Sequence, residues 1–223
     1  NDSVNPTQAQ YATLGINGVD TAQELSLLGD VLDTASRNGV ATNAGAVDSV
    51  AKLQTLADAV QAVMTGNPTK AQLELLGVTG VTDTNLASIQ AALAAADDVT
   101  ELNTLAGLQS TVTDGLNALS AISTAAQNNT ADGTIIATAA QYDALGITGI
   151  GGTNGDGTSQ PTLTMINSVL NDADIGSAQT DTAAKVQAIV DAYAAILQSA
   201  DGVANNDSVN PTQAQYATLG ING

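Results

Sequence analysis

The chain has no cysteine, histidine, tryptophan or phenylalanine, and four tyrosines are its whole aromatic content. Without cysteine there is no disulfide framework, no thiolate nucleophile and no Cys-ligated metal. Without histidine, most zinc sites and the commonest general base are excluded. Positive charge is almost as scarce. Arg37, Lys52, Lys70 and Lys185 stand against 22 acidic residues, for a formal net charge of −18. Four scattered cations cannot track a phosphate backbone, and there is no aromatic platform for bases, so neither nucleic acid nor an anionic lipid surface is an expected partner. No apolar run approaches the roughly 18 residues of a spanning helix, so membrane insertion is not expected. A basic segment followed by a signal-peptide core is also missing from the start. The absence of cysteine fits a protein exported without cross-linking in transit. The acids are dispersed, which reads as a solvated, self-repelling surface.

What is present is repetition. The string NDSVNPTQAQYATLGING occupies residues 1–18 and again, letter for letter, residues 206–223. The copies lie 205 residues apart, so the chain covers one turn of a long tandem array and the start of the next. Both ends are therefore expected to be cuts within a larger protein.

A shorter period lies inside the long one. Asn5-Pro6-Thr7, Ala9-Gln10-Tyr11 and Leu14-Gly15-Ile16-Asn17-Gly18 have counterparts in Asn67-Pro68-Thr69, Ala71-Gln72-Leu73 and Leu76-Gly77-Val78-Thr79-Gly80. A third copy runs through Thr138, Ala140-Gln141-Tyr142 and Leu145-Gly146-Ile147-Thr148-Gly149, and a fourth begins at Asn210-Pro211-Thr212. Tyr11, Leu73, Tyr142 and Tyr216 mark the copies at spacings of 62, 69 and 74 residues. The domains expected are repeat units at 1–66, 67–128 and 129–204, with 205–223 opening the next block.

Each unit reads as three helices. The first is short, with Asn5 as its expected N-cap and Pro6 in the first turn. Gly15 ends it in a left-handed conformation that folds Ile16 back on Tyr11. Leu73 standing in for the tyrosine marks that position as core. The second helix carries one apolar stripe: Leu25, Leu28 and Leu32, then Leu86, Ile89 and Leu93, then Leu163, Ile166 and Leu170. Its expected caps are Thr21, Asp83 and Ser159. The third is the longest, with Leu53, Leu56, Ala57, Val60 and Met64 in unit one. Leu108, Val112, Leu116, Leu119 and Ile122 follow in unit two, with Gly115 a weak point. Unit three has Val186, Ile189, Val190, Tyr193 and Leu197. Asp48, Thr100 and Thr180 or Asp181 are the expected caps. The only β-like runs are Ile135-Ile136 and Val40-Ala41, too short to alternate usefully. The expected fold is all-α: an elongated tandem array of three small three-helix bundles. Units of about 60 residues are marginal alone and gain from contact with neighbours.

The units differ chiefly in loops, at 35–47, 128–134 and 151–158. Asn/Asp/Gly loops of this kind can wrap a hard cation. The acid spacing of a calcium loop is missing, and turn chemistry accounts for the composition. Calcium is the one cofactor the loops admit, and Asp156 and Asp132 are the residues to examine for it. No phosphate-cradling glycine loop and no nucleophile elbow occur. The acid pair Asp97-Asp98 sits in a polar turn. No catalytic, cofactor-binding or metal-ligating residue is therefore assigned, and no enzymatic activity is expected.

The pattern at Asn5–Val19, the Leu-x-x-Leu/Ile second helix and Thr180-to-Tyr193 together resemble helical tandem repeats of very large Gram-negative bacterial surface adhesins. The resemblance covers nearly the whole chain and blurs at 125–137 and 151–161. It implies export to the cell surface, a part in adhesion and biofilm formation, and an extender role that projects a distal binding domain. Its partners would be adjacent repeats of the same chain, and a host or matrix protein would be met through other domains. A monomer is expected. The alternative is a surface module whose bundles capture a host or matrix protein directly. Such a module needs a repeated exposed apolar patch, and every recurrent large residue has a core position instead.

Overall fold

A computed structural model of the protein describes residues 5–37, 48–127, 136–153, 159–200 and 210–221. Among the described residues the chain is all-helical, and the only β pairing is one isolated bridge between Thr153 and Ser159. The helices are α1 (Gln8–Thr13), α2 (Ala22–Arg37), α3 (Val50–Met64), α4 (Lys70–Leu75), α5 (Leu86–Ala95), α6 (Leu105–Gln127), α7 (Ala139–Asp143), α8 (Leu163–Leu170), α9 (Ser177–Thr180), α10 (Ala183–Ala200) and α11 (Gln213–Thr218). The chain divides into two compact units, residues 1–114 and 115–223, and the division falls inside α6.

The short first helices start differently from expectation. The N-cap of α1 is Thr7, not Asn5, and Pro6 stays outside the helix. Thr7 has its partner three residues on, in Gln10. The Gln10 amide donates to Thr7 Oγ1 (3.4 Å), and the Thr7 amide donates to Gln10 Oε1 (2.8 Å). This reciprocal box satisfies two donors that a helix start leaves open. Thr69 with Gln72 and Thr212 with Gln215 repeat it, and the Thr138 amide likewise donates to Gln141 Oε1. Six-residue helices are far too short to hold in isolation. Caps at both ends and a buried side chain are what keep them.

The C-terminal ends follow expectation. Gly15, Gly77, Gly146 and Gly220 all have positive φ. The next residue folds back each time: Ile16 N to Tyr11 O, Val78 N to Leu73 O, Ile147 N to Tyr142 O and Ile221 N to Tyr216 O, all at 2.9–3.0 Å. These bonds return to the carbonyls that the helix end leaves free.

The longer helices are capped by hydroxyls nearer the first turn than expected. Thr21 serves α2 as foreseen, accepting from Glu24 N while Glu24 Oε2 accepts from Thr21 N. In place of Asp48, Ser49 accepts from Lys52 N. In place of Ser159, Thr162 accepts from Met165 N. Thr104 replaces Thr100, and Thr182 replaces Thr180 and Asp181. Thr180 instead ends α9, a single turn that the sequence pattern does not reveal. The N-cap of α5 is Asn85 rather than Asp83, with no side-chain cap bond of its own.

In the first unit α2 packs on α3, and α3 also packs on α4 and α5. The buried face of α2 is Leu27, Leu28 and Val31, with Leu25 and Leu32 at its margins. That of α3 is Leu56, Ala57, Ala59, Val60 and Val63, and that of α5 includes Ile89, Ala92 and Leu93. In the second unit α10 packs on α8, α9 and α11. It buries Val186, Ile189, Val190 and Ala192 against Ile166, Val169 and Leu170 of α8, among other residues. Each such aliphatic side chain contributes about 1.5–3 kcal/mol of transfer free energy. Gly115 does not interrupt α6.

Candidate functional site

Both candidate calcium residues, Asp156 and Asp132, lie outside the described residues, as do most of the loops at 35–47 and 128–134. Among the described residues no three acids gather as a cation would require. Asp97 and Asp98 are exposed in the turn before α6, where Asp97 Oδ1 accepts from the Val99 and Thr100 amides. No helix among the described residues is long and apolar enough to cross a membrane. A depression of about 220 Å³ beside α7 is lined by Tyr142, Asp143, Ile147 and Thr148 among others. It falls short of the roughly 300–1,000 Å³ usual for small-molecule sites.

What the sequence analysis missed is a joint built three times from the same parts. It lies where the turn after each first helix meets the third helix of the same repeat. The Asn17 amide donates to Gln54 Oε1 (2.9 Å), and Gln54 Nε2 donates back to Asn17 O (2.9 Å). The Thr79 amide donates to Gln109 Oε1 (2.8 Å), and Gln109 Nε2 donates to Thr79 O (3.3 Å). The Thr148 amide donates to Gln187 Oε1 (2.9 Å), and Gln187 Nε2 donates to Thr148 O (3.0 Å). A primary amide is the side chain that can pair with a backbone amide in both directions at once. Each glutamine is held by a residue one turn on: Asp58, Thr113 and Asp191 accept from the same Nε2 atoms. A signal was available, since each glutamine directly follows the first stripe residue of its helix: Leu53, Leu108 and Val186. Its partner, 30–39 residues away, was not visible.

A second polar contact ties the second helix to the entry of the first. Asn167 Nδ2 donates to Ala137 O (2.8 Å), and Tyr142 Oη donates to Asn167 Oδ1 (3.2 Å). Both side chains are buried. In the preceding repeat Gln90 takes the place of Asn167 and donates to Pro68 O (3.0 Å) and Asn67 Oδ1 (3.1 Å). Leu73 replaces the tyrosine there, so no hydroxyl needs a partner. In the first repeat the position is Gly29. The Asn5 side chain fills the space a Cβ on Gly29 would take, and among the described residues the buried Tyr11 hydroxyl has no hydrogen-bond partner. Burial pushes the phenol pKa of both tyrosines above its ordinary value.

Close backbone approach marks the passage from one repeat to the next. Gly66 ends α3 with φ of 69°. A Cβ there would stand 2.8 Å from Ala94 Cβ and 2.9 Å from Ala94 Cα, on α5. Asp30 of α2 accepts from the Leu105 amide (2.8 Å), capping α6 from the preceding repeat. Lys52, Lys70 and Lys185 form exposed pairs with Asp48, with Glu74 and Asp83, and with Asp181. Pairs so exposed add little to stability. Comparison of the chain with family models, curated proteins and solved structures gives no match.

Proposed function

We propose that the chain is a structural spacer. In this reading it is a tandem array of three small three-helix bundles, at 1–66, 67–128 and 129–204, with 205–223 opening a fourth. It would serve as extender repeats of a secreted bacterial surface adhesin, holding a distal binding domain away from the cell, with no catalysis of its own. The observation that carries the reading is the glutamine joint. Three repeats that differ in loops and surface keep one internal contact in the same register. The residues that recur are occupied in holding helices together, which is what selection for length rather than chemistry would retain. The third helices have 15, 23 and 18 residues. At the usual rise each spans about 22–35 Å, so three bundles end to end reach on the order of 75–100 Å. Small-angle scattering on the purified chain tests this directly. A rod-like distance distribution is the expected result, and a near-spherical particle would sink the extender reading. Antibody labelling of intact producing cells tests the surface location.

A further inference from the structure

The glutamine joints differ in the turn residue they grip. It is Asn17 in the first repeat, and Thr79 and Thr148 in the others. All three are exposed, so the exposure of Asn17 belongs to the turn itself. Gly18 follows Asn17, and the place suits glycine. Its φ is 76°, and the side-chain amide of Gln61 lies 3.1–3.3 Å from where a Cβ would stand. An asparagine directly before a glycine is a chemically reactive pair. The glycine amide nitrogen can close an imide ring on the asparagine side-chain carbon, and glycine puts no side chain in the way.

We propose that Asn17 is a site of self-modification by deamidation, and that the Gln54 clamp sets its rate. In the first step Gly18 N bonds to Asn17 Cγ and loses its proton, while the Cγ–Nδ2 bond breaks and ammonia leaves. Water then opens the imide at either carbonyl, giving aspartate or isoaspartate. The net change is water taken up and ammonia lost, with no oxidant or reductant. Ring closure needs the nitrogen brought onto the side-chain carbon in an aligned approach, and so needs rotation within Asn17. The joint withholds that freedom. Gln54 Oε1 accepts from the Asn17 amide and Gln54 Nε2 donates to the Asn17 carbonyl, both at 2.9 Å. One side chain thus pins the backbone on both sides of the reacting residue. The departing nitrogen is tied as well, since Asn17 Nδ2 donates to Gly15 O (3.2 Å). Reaction therefore waits for the joint to open. Isoaspartate then lengthens the backbone by a carbon between the two groups that Gln54 grips, so the opened joint does not re-form as it was. Thr79 and Thr148 have no side-chain amide, which exempts the second and third joints. The inference rests on the geometry of the joint and not on the spacer reading.

The test incubates the full chain at mildly alkaline pH and follows amide loss by peptide mapping. Trypsin, cutting after Arg37 and the lysines, isolates Asn17 in fragment 1–37, apart from the other Asn–Gly pairs at 38–39, 154–155 and 222–223. A synthetic peptide of sequence 1–37 supplies the unclamped rate. Asn17 should react several times more slowly in the folded wild type than in that peptide. Gln54→Ala should speed the reaction about 5–30-fold, as expected when a pair of hydrogen bonds is lost. Gln109→Ala opens the second joint instead and should leave the Asn17 rate unchanged, which separates local opening from general unfolding. Asn17→Thr should abolish the product in fragment 1–37 and keep the helical circular dichroism. Equal rates in wild type and peptide overturn the proposal. A Gln54→Ala rate no faster than wild type overturns it too. Equal acceleration by Gln109→Ala overturns the control by Gln54, because the rate would then follow overall stability.

Discussion

Tyr11 and Tyr142 sit at the same place in their repeats and differ by one hydrogen bond. Tyr142 has Asn167; in the first repeat Gly29 stands at the place of Asn167, and the Tyr11 hydroxyl has no partner among the described residues. An unpaired buried hydroxyl costs about 1–3 kcal/mol. Gly29→Asn should therefore stabilise the chain by about 1 kcal/mol, from the new bond and from better helix propensity. The exposed Asn5 side chain must swing out to make room. A urea midpoint that falls instead would show that Asn5 cannot leave. The two phenols also set an alkaline limit. Their folded-state pKa values lie above the unfolded value near 10, through loss of hydration on burial. Their contribution is thus fully present below about pH 10 and is lost as pH rises further, by up to about 1.4 kcal/mol per pH unit and group. Melting temperatures measured above pH 10 should fall steeply in wild type and less steeply in Tyr142→Phe.

Whole helices respond to single contacts because most of them are too short to stand alone. Gln54→Ala, Gln109→Ala and Gln187→Ala each remove a pair of bonds and should cost about 1–2 kcal/mol. Hydrogen exchange should quicken specifically at Asn17, Thr79 or Thr148, the amide each glutamine accepts from. Unchanged protection would mean that the turn is held by its apolar residues alone. Gly66→Ala should cost about 2–4 kcal/mol, through strain at positive φ and collision with the α5 backbone at Ala94. Chemical denaturation reads that loss. The helices themselves were legible in the sequence. The three-and-four spacing of Leu25, Leu28 and Leu32 and its copies located the second helices, and Gly15 located the end of the first. The caps were less legible. Asn5 and Pro6 are strong local signals, but Thr7 is favoured by a glutamine one turn on. The joint was not legible at all, because a half-exposed glutamine on an amphipathic helix looks like any solvated residue until its distant partner is known.

For the molecule as a whole, charge is the dominant external variable. With 22 acids and four cations, self-repulsion opposes the folded state at low ionic strength. Raising sodium chloride from about 0.01 M to about 1 M shortens the screening length from ~30 Å to ~3 Å. The melting temperature should rise by several degrees over that range, and a flat response would show that the carboxylates are too dispersed to matter. The joint stands apart from that response. The backbone amides and glutamine side chains that pair in it carry no charge, although aspartates, Asp58 and Asp191, accept from two of the glutamines as well. Acid, brine or fresh water will change how strongly the surface repels. They act on the turn-to-glutamine pairing only through the aspartates beside Gln54 and Gln187, and beside Gln109 the brace is the uncharged Thr113, so that copy is the one whose alignment works as a graduation independent of the medium.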